Sequence, residues 1–187
     1  MIPKFEDIQT AAKRIKGHAV QTPLLESHFL NEKIGGRLLI KAESLQKTGS
    51  FKFRGAFNAI SRLSDREKES GIIAYSSGNH AQAVAAVAQI FGISSTIIMP
   101  EDAPKTKLLN TERYGAKVIK YDRLNESRES IGEQLRLENK ATLIKPYDDP
   151  FVIAGQGTIG LEIFEQGNEL GVEFDTILAP CGGGGLI

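Results

Sequence analysis

Lys52 lies in the stretch LQKTGSFKFRGA (residues 45–56), between Phe51 and Phe53, with Gly-Ser ahead of the triplet and Arg-Gly behind it. Aromatic neighbours on both sides would shield its ammonium from water, and loss of water disfavours the charged form of an amine. A lysine held in that state is a nucleophile and a base. Two other stretches have unusual backbone chemistry. In SSGNH (76–80), Ser76, Ser77 and Asn79 are helix-capping types, and Gly78 lets a ligand approach the backbone closely. Free N–H groups at the start of the following helix would make an anion site. The same five residues also describe a well-capped helix with no ligand, and His80 by itself reads as a supporting residue rather than a base. In CGGGGL, Gly182, Gly183, Gly184 and Gly185 follow the apolar run TILAP. Four glycines cost conformational entropy on folding, and a flexible linker would be polar and serine-rich. A nest of backbone N–H groups closing on a phosphate accounts for them better.

The loop at 182–185 does not carry the G-x-G-x-x-G of a dinucleotide fingerprint, and the chain has neither the nucleoside-triphosphate loop nor the G-x-S-x-G nucleophile elbow. What the three stretches jointly offer is a shielded amine, a phosphate nest and an anion site of carboxylate size. A lysine joined to a phosphorylated aldehyde beside an amino-acid carboxylate is the requirement of pyridoxal phosphate chemistry.

Such groups must be positioned by a scaffold, and the pattern of the chain supplies one. Phe5, Ile8, Ala12 and Ile15 share one face of a helix over 4–16. RLLIKAE (37–43) reads as a strand and residues 53–62 as a helix. From residue 71 the alternation is regular: strands in GIIAYS, STIIMP, AKVIKYD and ATLIKPY, with helices in NHAQAVAAVAQIFG, APKTKLLNTERYG and ESRESIGEQLRLENK between them. A helix in IAGQGTIGLEIFEQ and a strand in TILAPC follow. Strands alternating with helices of this length predict an α/β fold with a parallel, doubly wound sheet, whose ligands sit at the carboxyl ends of the strands.

Composition agrees with a globular chain that handles a small molecule. Of 187 residues, 41% are hydrophobic, and Lys+Arg and Asp+Glu balance at 23 each, so no nucleic-acid or anionic-membrane partner is indicated. The single cysteine, Cys181, excludes an internal disulfide and a multi-cysteine metal site. The N-terminal stretch lacks the apolar core of a signal peptide and no run reaches membrane-spanning length, so the expected location is the cytoplasm.

KTGSFKFRGA, SSGNHAQAVA, AGQGT and CGGGGL, in this order and spacing, resemble the fold-type II pyridoxal phosphate enzymes, in the serine/threonine dehydratase and serine racemase branch. The resemblance runs from about Pro23 to the last residue. It implies that Lys52 forms the Schiff base with the cofactor, that Phe51 packs against the pyridine ring, and that Asn79 bonds the phenolic oxygen. Gly182 to Gly185 would hold the phosphate, and Ser76, Ser77, Asn79 and His80 would line the substrate carboxylate site. Ser77 would be the acid/base on the ring face opposite Lys52. Arg128 would lie near the mouth of the site, where it could hold a second substrate carboxylate, or else be a solvated arginine paired with Glu126 or Glu129. Two lobes are implied, a small one (75–147) inserted in a large cofactor-binding one (1–74 and 148–187). The implied activity is an ammonia-lyase on serine, threonine or a related 3-hydroxy amino acid. Serine racemase, 3-hydroxyaspartate dehydratase and a silent cofactor-binding relative are the alternatives. Members of this family continue past the glycine loop, so a divalent-metal site, the partner of the pyridine nitrogen and the strands that cover the sheet are expected beyond Ile187. The chain is expected to be a piece of a longer, homo-oligomeric enzyme or to be completed by another chain.

Overall fold

The computed structural model describes residues 2–187. Helix α1 (Phe5–Ile15) buries Ala11 and Ile15 and is followed by β1 (Leu24–Glu26), α2 (His28–Ile34) and β2 (Leu39–Lys41). β1 and β2 pair antiparallel, Leu25 opposite Ile40. Then come α3 (Lys52–Ile60) and α4 (Asp65–Ser70), the latter started by a reciprocal box between Ser64 and Glu67. The elements β3 (Ile72–Tyr75), α5 (Asn79–Phe91), β4 (Ser95–Pro100), α6 (Lys105–Arg113), β5 (Lys117–Tyr121), α7 (Arg128–Asn139) and β6 (Thr142–Leu143) form a repeating β/α unit, and α8 (Pro150–Glu169) is the longest helix.

The four later strands form one parallel sheet in the order β5-β4-β3-β6. Alternation along the strands decides what covers each face. Ile72, Ala74, Ile97 and Met99 join the alanine-rich face of α5 in the main core. Ile73, Tyr75 and Ile98 point the other way, to Ile131 and Leu135 of α7. Small side chains let α5 lie buried between this sheet and α3.

α3 is fixed by α8 through backbone-to-backbone approach. A Cβ on Gly155 would sit 2.6 Å from Gly55 Cα and 2.7 Å from the Arg54 carbonyl oxygen, and the Gln156 Oε1 accepts from the Gly55 N–H at 3.2 Å. A Cβ on Gly157 would meet Ile8 of α1 at 2.7 Å. AGQGT is therefore a helix-packing motif. Beside it, fully buried Arg54 grips Glu43 with Nε and Nη2 (2.9 and 2.8 Å) and Glu162 with Nη1 and Nη2 (2.6 and 2.8 Å). Lys41 adds a second cation, 2.6 Å from Glu162. Two cations and two carboxylates compensate one another, which a buried cluster requires.

The sequence reading needs two corrections here. TILAPC forms no strand: residues 176–181 are irregular and exposed, because no neighbouring strand among the described residues offers them a hydrogen-bonding ladder. The strand in ATLIKPY shrinks to Thr142–Leu143, with one further bond from the Ile144 N–H to the Ile73 carbonyl, before Pro146 removes a donor. β1, α2 and α4 are too short for a periodic signal and were not anticipated.

Candidate active site

Lys52 is the first residue of α3, after a tight turn in which Thr48 and Gly49 have φ of +62° and +71°. That turn aims the side chain back across the end of the parallel sheet. Its Nζ donates to the Pro146 carbonyl oxygen at 2.6 Å, and burial pushes its pKa below the ordinary lysine value. The Phe51 ring centroid lies 5.2 Å from Nζ. Phe53 does not shield the amine as the flanking pattern suggested. One residue further along a helix it turns about 100° away, into the core against Phe57 at 5.9 Å.

SSGNH connects β3 to α5 at the carboxyl end of the sheet. Its serines and asparagine do not cap the helix. The N-cap is Gly78, with no side-chain bond to the first turn, and the Ser76 Oγ accepts instead from the Gly78 N–H at 3.1 Å. The opening N–H groups of a 13-residue helix are thus left without a side-chain cap. Ser77 and Asn79 are exposed, and the Asn79 Oδ1 accepts from Lys107 Nζ at 2.7 Å. His80 points the other way. It is 2% exposed, and its Nε2, 3.0 Å from the Ile144 carbonyl oxygen, must carry the proton and donate. Only its backbone can face the loop. Burial, with a smaller contribution from the nearby Lys52 charge, pushes its pKa down to about 4, so the ring is neutral.

The glycine run lies against Tyr147, the residue after the acceptor of Lys52. A Cβ on Gly183 would fall 2.3–2.5 Å from the Tyr147 ring, and one on Gly185 would fall 2.8 Å from the Tyr147 carbonyl oxygen. Gly184 has φ of +84°, while Gly182 has open space around it. Residues 144–147 therefore touch the lysine, the SSGNH helix and the glycine loop together. Sequence reasoning missed this segment, because two of its contacts use backbone carbonyls that any residue could provide.

Arg128 starts α7, which packs beside β3. Its Nε donates to Glu129 at 2.7 Å, and its guanidinium lies over the Tyr75 ring at 5.2 Å. The pairing with Glu129 matches the simpler of the two sequence readings, and Glu126 turns back to accept from the Asp122 N–H instead. Among the described residues no group of three or more His, Cys, Asp or Glu could hold a metal ion, and no helix is long and apolar enough to cross a membrane.

A half-buried amine whose pKa is lowered by burial, an uncapped helix start and a loop bare of side chains thus meet at one end of a parallel sheet. Residues 15–187 match the family described as pyridoxal-phosphate dependent enzyme. The chain belongs to that family. It is 48% identical over 187 residues to an L-threo-3-hydroxyaspartate ammonia-lyase of Saccharomyces cerevisiae, covering all of this chain and 56% of that protein. It is 51% identical over 188 residues to a catabolic L-threonine dehydratase of Staphylococcus aureus (strain USA300), covering all of this chain and 53% of the other. The solved structure of maize serine racemase superposes with a TM-score of 0.93 at 39% identity, over all of this chain and 55% of that one. The chain spans little more than half the length of these relatives.

The residues present fit a phosphorylated aldehyde cofactor. The Ser50 Oγ, two residues before Lys52, is buried with no hydrogen-bond partner, a polar atom left for a ligand group. The glycine loop offers backbone N–H groups and bears no side chains of its own.

Proposed function

We propose that this chain carries the cofactor lysine, the phosphate loop and the substrate-carboxylate loop of a pyridoxal phosphate-dependent ammonia-lyase. Its substrate would be a 3-hydroxy amino acid, converted to a 2-oxo acid and ammonia. The observation that carries this reading is the half-buried Lys52 amine on Pro146, at the same end of the sheet as the uncapped N-terminus of α5. The similarity to two ammonia-lyases supports the reaction class.

Lys52 would hold the cofactor through its aldehyde carbon, Phe51 would flank the ring, Asn79 would reach the phenolic oxygen, and Gly182 to Gly185 would hold the phosphate. When bound, pyridoxal phosphate supplies an electron sink for charge developing at the substrate α-carbon. The α5 N–H groups, with the hydroxyls of Ser76 and Ser77, bind and orient the substrate carboxylate. Lys52, once the substrate amine has taken its place on the aldehyde carbon, would be suited to take the α-proton as a neutral amine, since burial lowers its pKa. Loss of the β-hydroxyl with a proton then leaves an enamine, which water converts to the 2-oxo acid and ammonia. The division into a small lobe (75–147) and a large one (1–74 and 148–187) belongs to the same reading, as does self-association of the complete enzyme in the cytoplasm. A divalent metal, if the enzyme uses one, would be held by residues outside this chain.

One observation favours a second activity at this site. Ser77 is exposed in the loop between β3 and α5, and the similarity extends to a serine racemase; on this reading Ser77 would return a proton from the face opposite Lys52. The test is product analysis of protein loaded with pyridoxal phosphate, given L-serine, L-threonine or L-threo-3-hydroxyaspartate. A 2-oxo acid should appear with at least one of them and vanish in Lys52→Ala. Ser77→Ala should lose D-serine formation but keep dehydration. If no 3-hydroxy amino acid yields a 2-oxo acid, the reaction assignment fails.

A further inference from the structure

The four glycines of the loop are not glycines for one reason. Gly184 needs its positive φ of +84°. Gly185 is excluded from bearing a side chain by backbone, the carbonyl oxygen and Cα of Tyr147 at 2.8 and 3.0 Å. Gly183 is excluded by a side chain: its Cβ would come within 2.3 Å of Cγ, 2.4 Å of Cδ1 and 2.5 Å of Cδ2 of the Tyr147 ring. These are the ring atoms nearest the main chain, so a methyl at Gly183 is relieved only by turning the whole Tyr147 ring about its Cα–Cβ bond. Gly182 meets nothing within 4 Å.

We infer that Tyr147 is a positioning residue whose ring is the seat of the glycine loop, and that Gly183 is a glycine because of that ring. The seat lies one residue from the carbonyl that receives Lys52, and three residues from the carbonyl that receives His80. The four residues 144–147 thereby set the spacing between the amine and the loop. A bare peptide can pack closely on an aromatic ring and so be held by it, and backbone N–H groups that remain free would serve a phosphate. That the loop takes the phosphate of the cofactor rests on the function proposed above. The seat itself does not.

The test is a double-mutant cycle between Tyr147→Ala and Gly183→Ala on the 187-residue chain, with Gly185→Ala as the control and Tyr147→Phe as the conservative variant. Two quantities are read: backbone order of the loop amides by nitrogen-15 relaxation without ligand, and affinity for pyridoxal phosphate. In the parent, Gly183→Ala should weaken binding by about tenfold or more, as overpacking against a fixed ring demands. In the Tyr147→Ala background the same change should cost less than about threefold. Gly185→Ala should be equally harmful in both backgrounds, because its obstacle is backbone. Tyr147→Ala should loosen the unliganded loop, and Tyr147→Phe should not. An equal penalty for Gly183→Ala in both backgrounds would overturn the inference, as would loop order unchanged by Tyr147→Ala. Absence of cofactor binding by the parent would instead refute the proposed function, leaving loop order to decide the seat.

Discussion

His80 should make the stability of this chain depend on pH in a way that one substitution removes. The imidazole is 2% exposed, its Nε2–H is committed to Ile144, and its pKa falls from 6.5 to about 4 in the fold. An unfolded chain protonates this histidine near 6.5 while the native chain leaves it neutral, so below that pH the unfolded state binds more protons. Stability from this group is therefore complete above pH 6.5, falls as pH drops, and is lost by about pH 4. At about 1.4 kcal/mol per pH unit, that gap corresponds to roughly 3 kcal/mol, a large share of a domain's stability. Urea denaturation of the parent and of His80→Gln, from pH 7 down to the limit of folding, measures it. Glutamine can still donate to the Ile144 carbonyl but cannot titrate. His80→Gln should be less stable at pH 7 yet lose less stability on acidification, with a slope flatter by up to about one proton between pH 6 and 4.5. His18 and His28 are exposed and present in both proteins, so they cancel in the comparison. Parallel curves for parent and variant would refute the assignment of a buried neutral His80.

The remaining expectations concern how α3 is held. Glu162→Ala strips Arg54 and Lys41 of a shared carboxylate inside the fold and should cost about 3–5 kcal/mol in urea unfolding. Glu129→Ala, which breaks the surface pair with Arg128 and a long bond from the Ser127 hydroxyl, should cost no more than about 1 kcal/mol. Gly155→Ala drives a methyl into the Gly55 backbone and should destabilise by at least roughly 1–3 kcal/mol. In the same helix Gly160 faces open space, so Gly160→Ala should leave stability unchanged or raise it by up to about 1 kcal/mol.

Periodicity made the β/α repeat legible because each strand and helix of residues 72–143 carries its own local pattern. STIIMP becomes β4 residue for residue, and the alanine-rich run becomes α5. TILAPC shows the limit of that method. Apolar, β-prone residues make a strand only beside a partner strand, and a partner is not encoded in the segment itself. The proposed site was sketched in the sequence only where a residue type would be demanded: an amine at 52, and bare backbone at 182–185. It was not legible where backbone atoms act, since the acceptor of Lys52 is a proline carbonyl 94 residues away. Phe53 misled for a related reason. Adjacency in sequence suggested a shield, but helical geometry sends neighbouring side chains in different directions. The Arg54 cluster was missed because Glu162 is 108 positions away and buried charge leaves no periodic trace.

The central claim is that Lys52 is the amine that carries pyridoxal phosphate. Borohydride reduction of the cofactor-loaded protein, followed by peptide mapping, tests it directly. The account predicts a single pyridoxyl adduct on the peptide containing Lys52, and none in Lys52→Ala. An adduct on another lysine such as Lys47 or Lys107, or labelling that persists in Lys52→Ala, would contradict it.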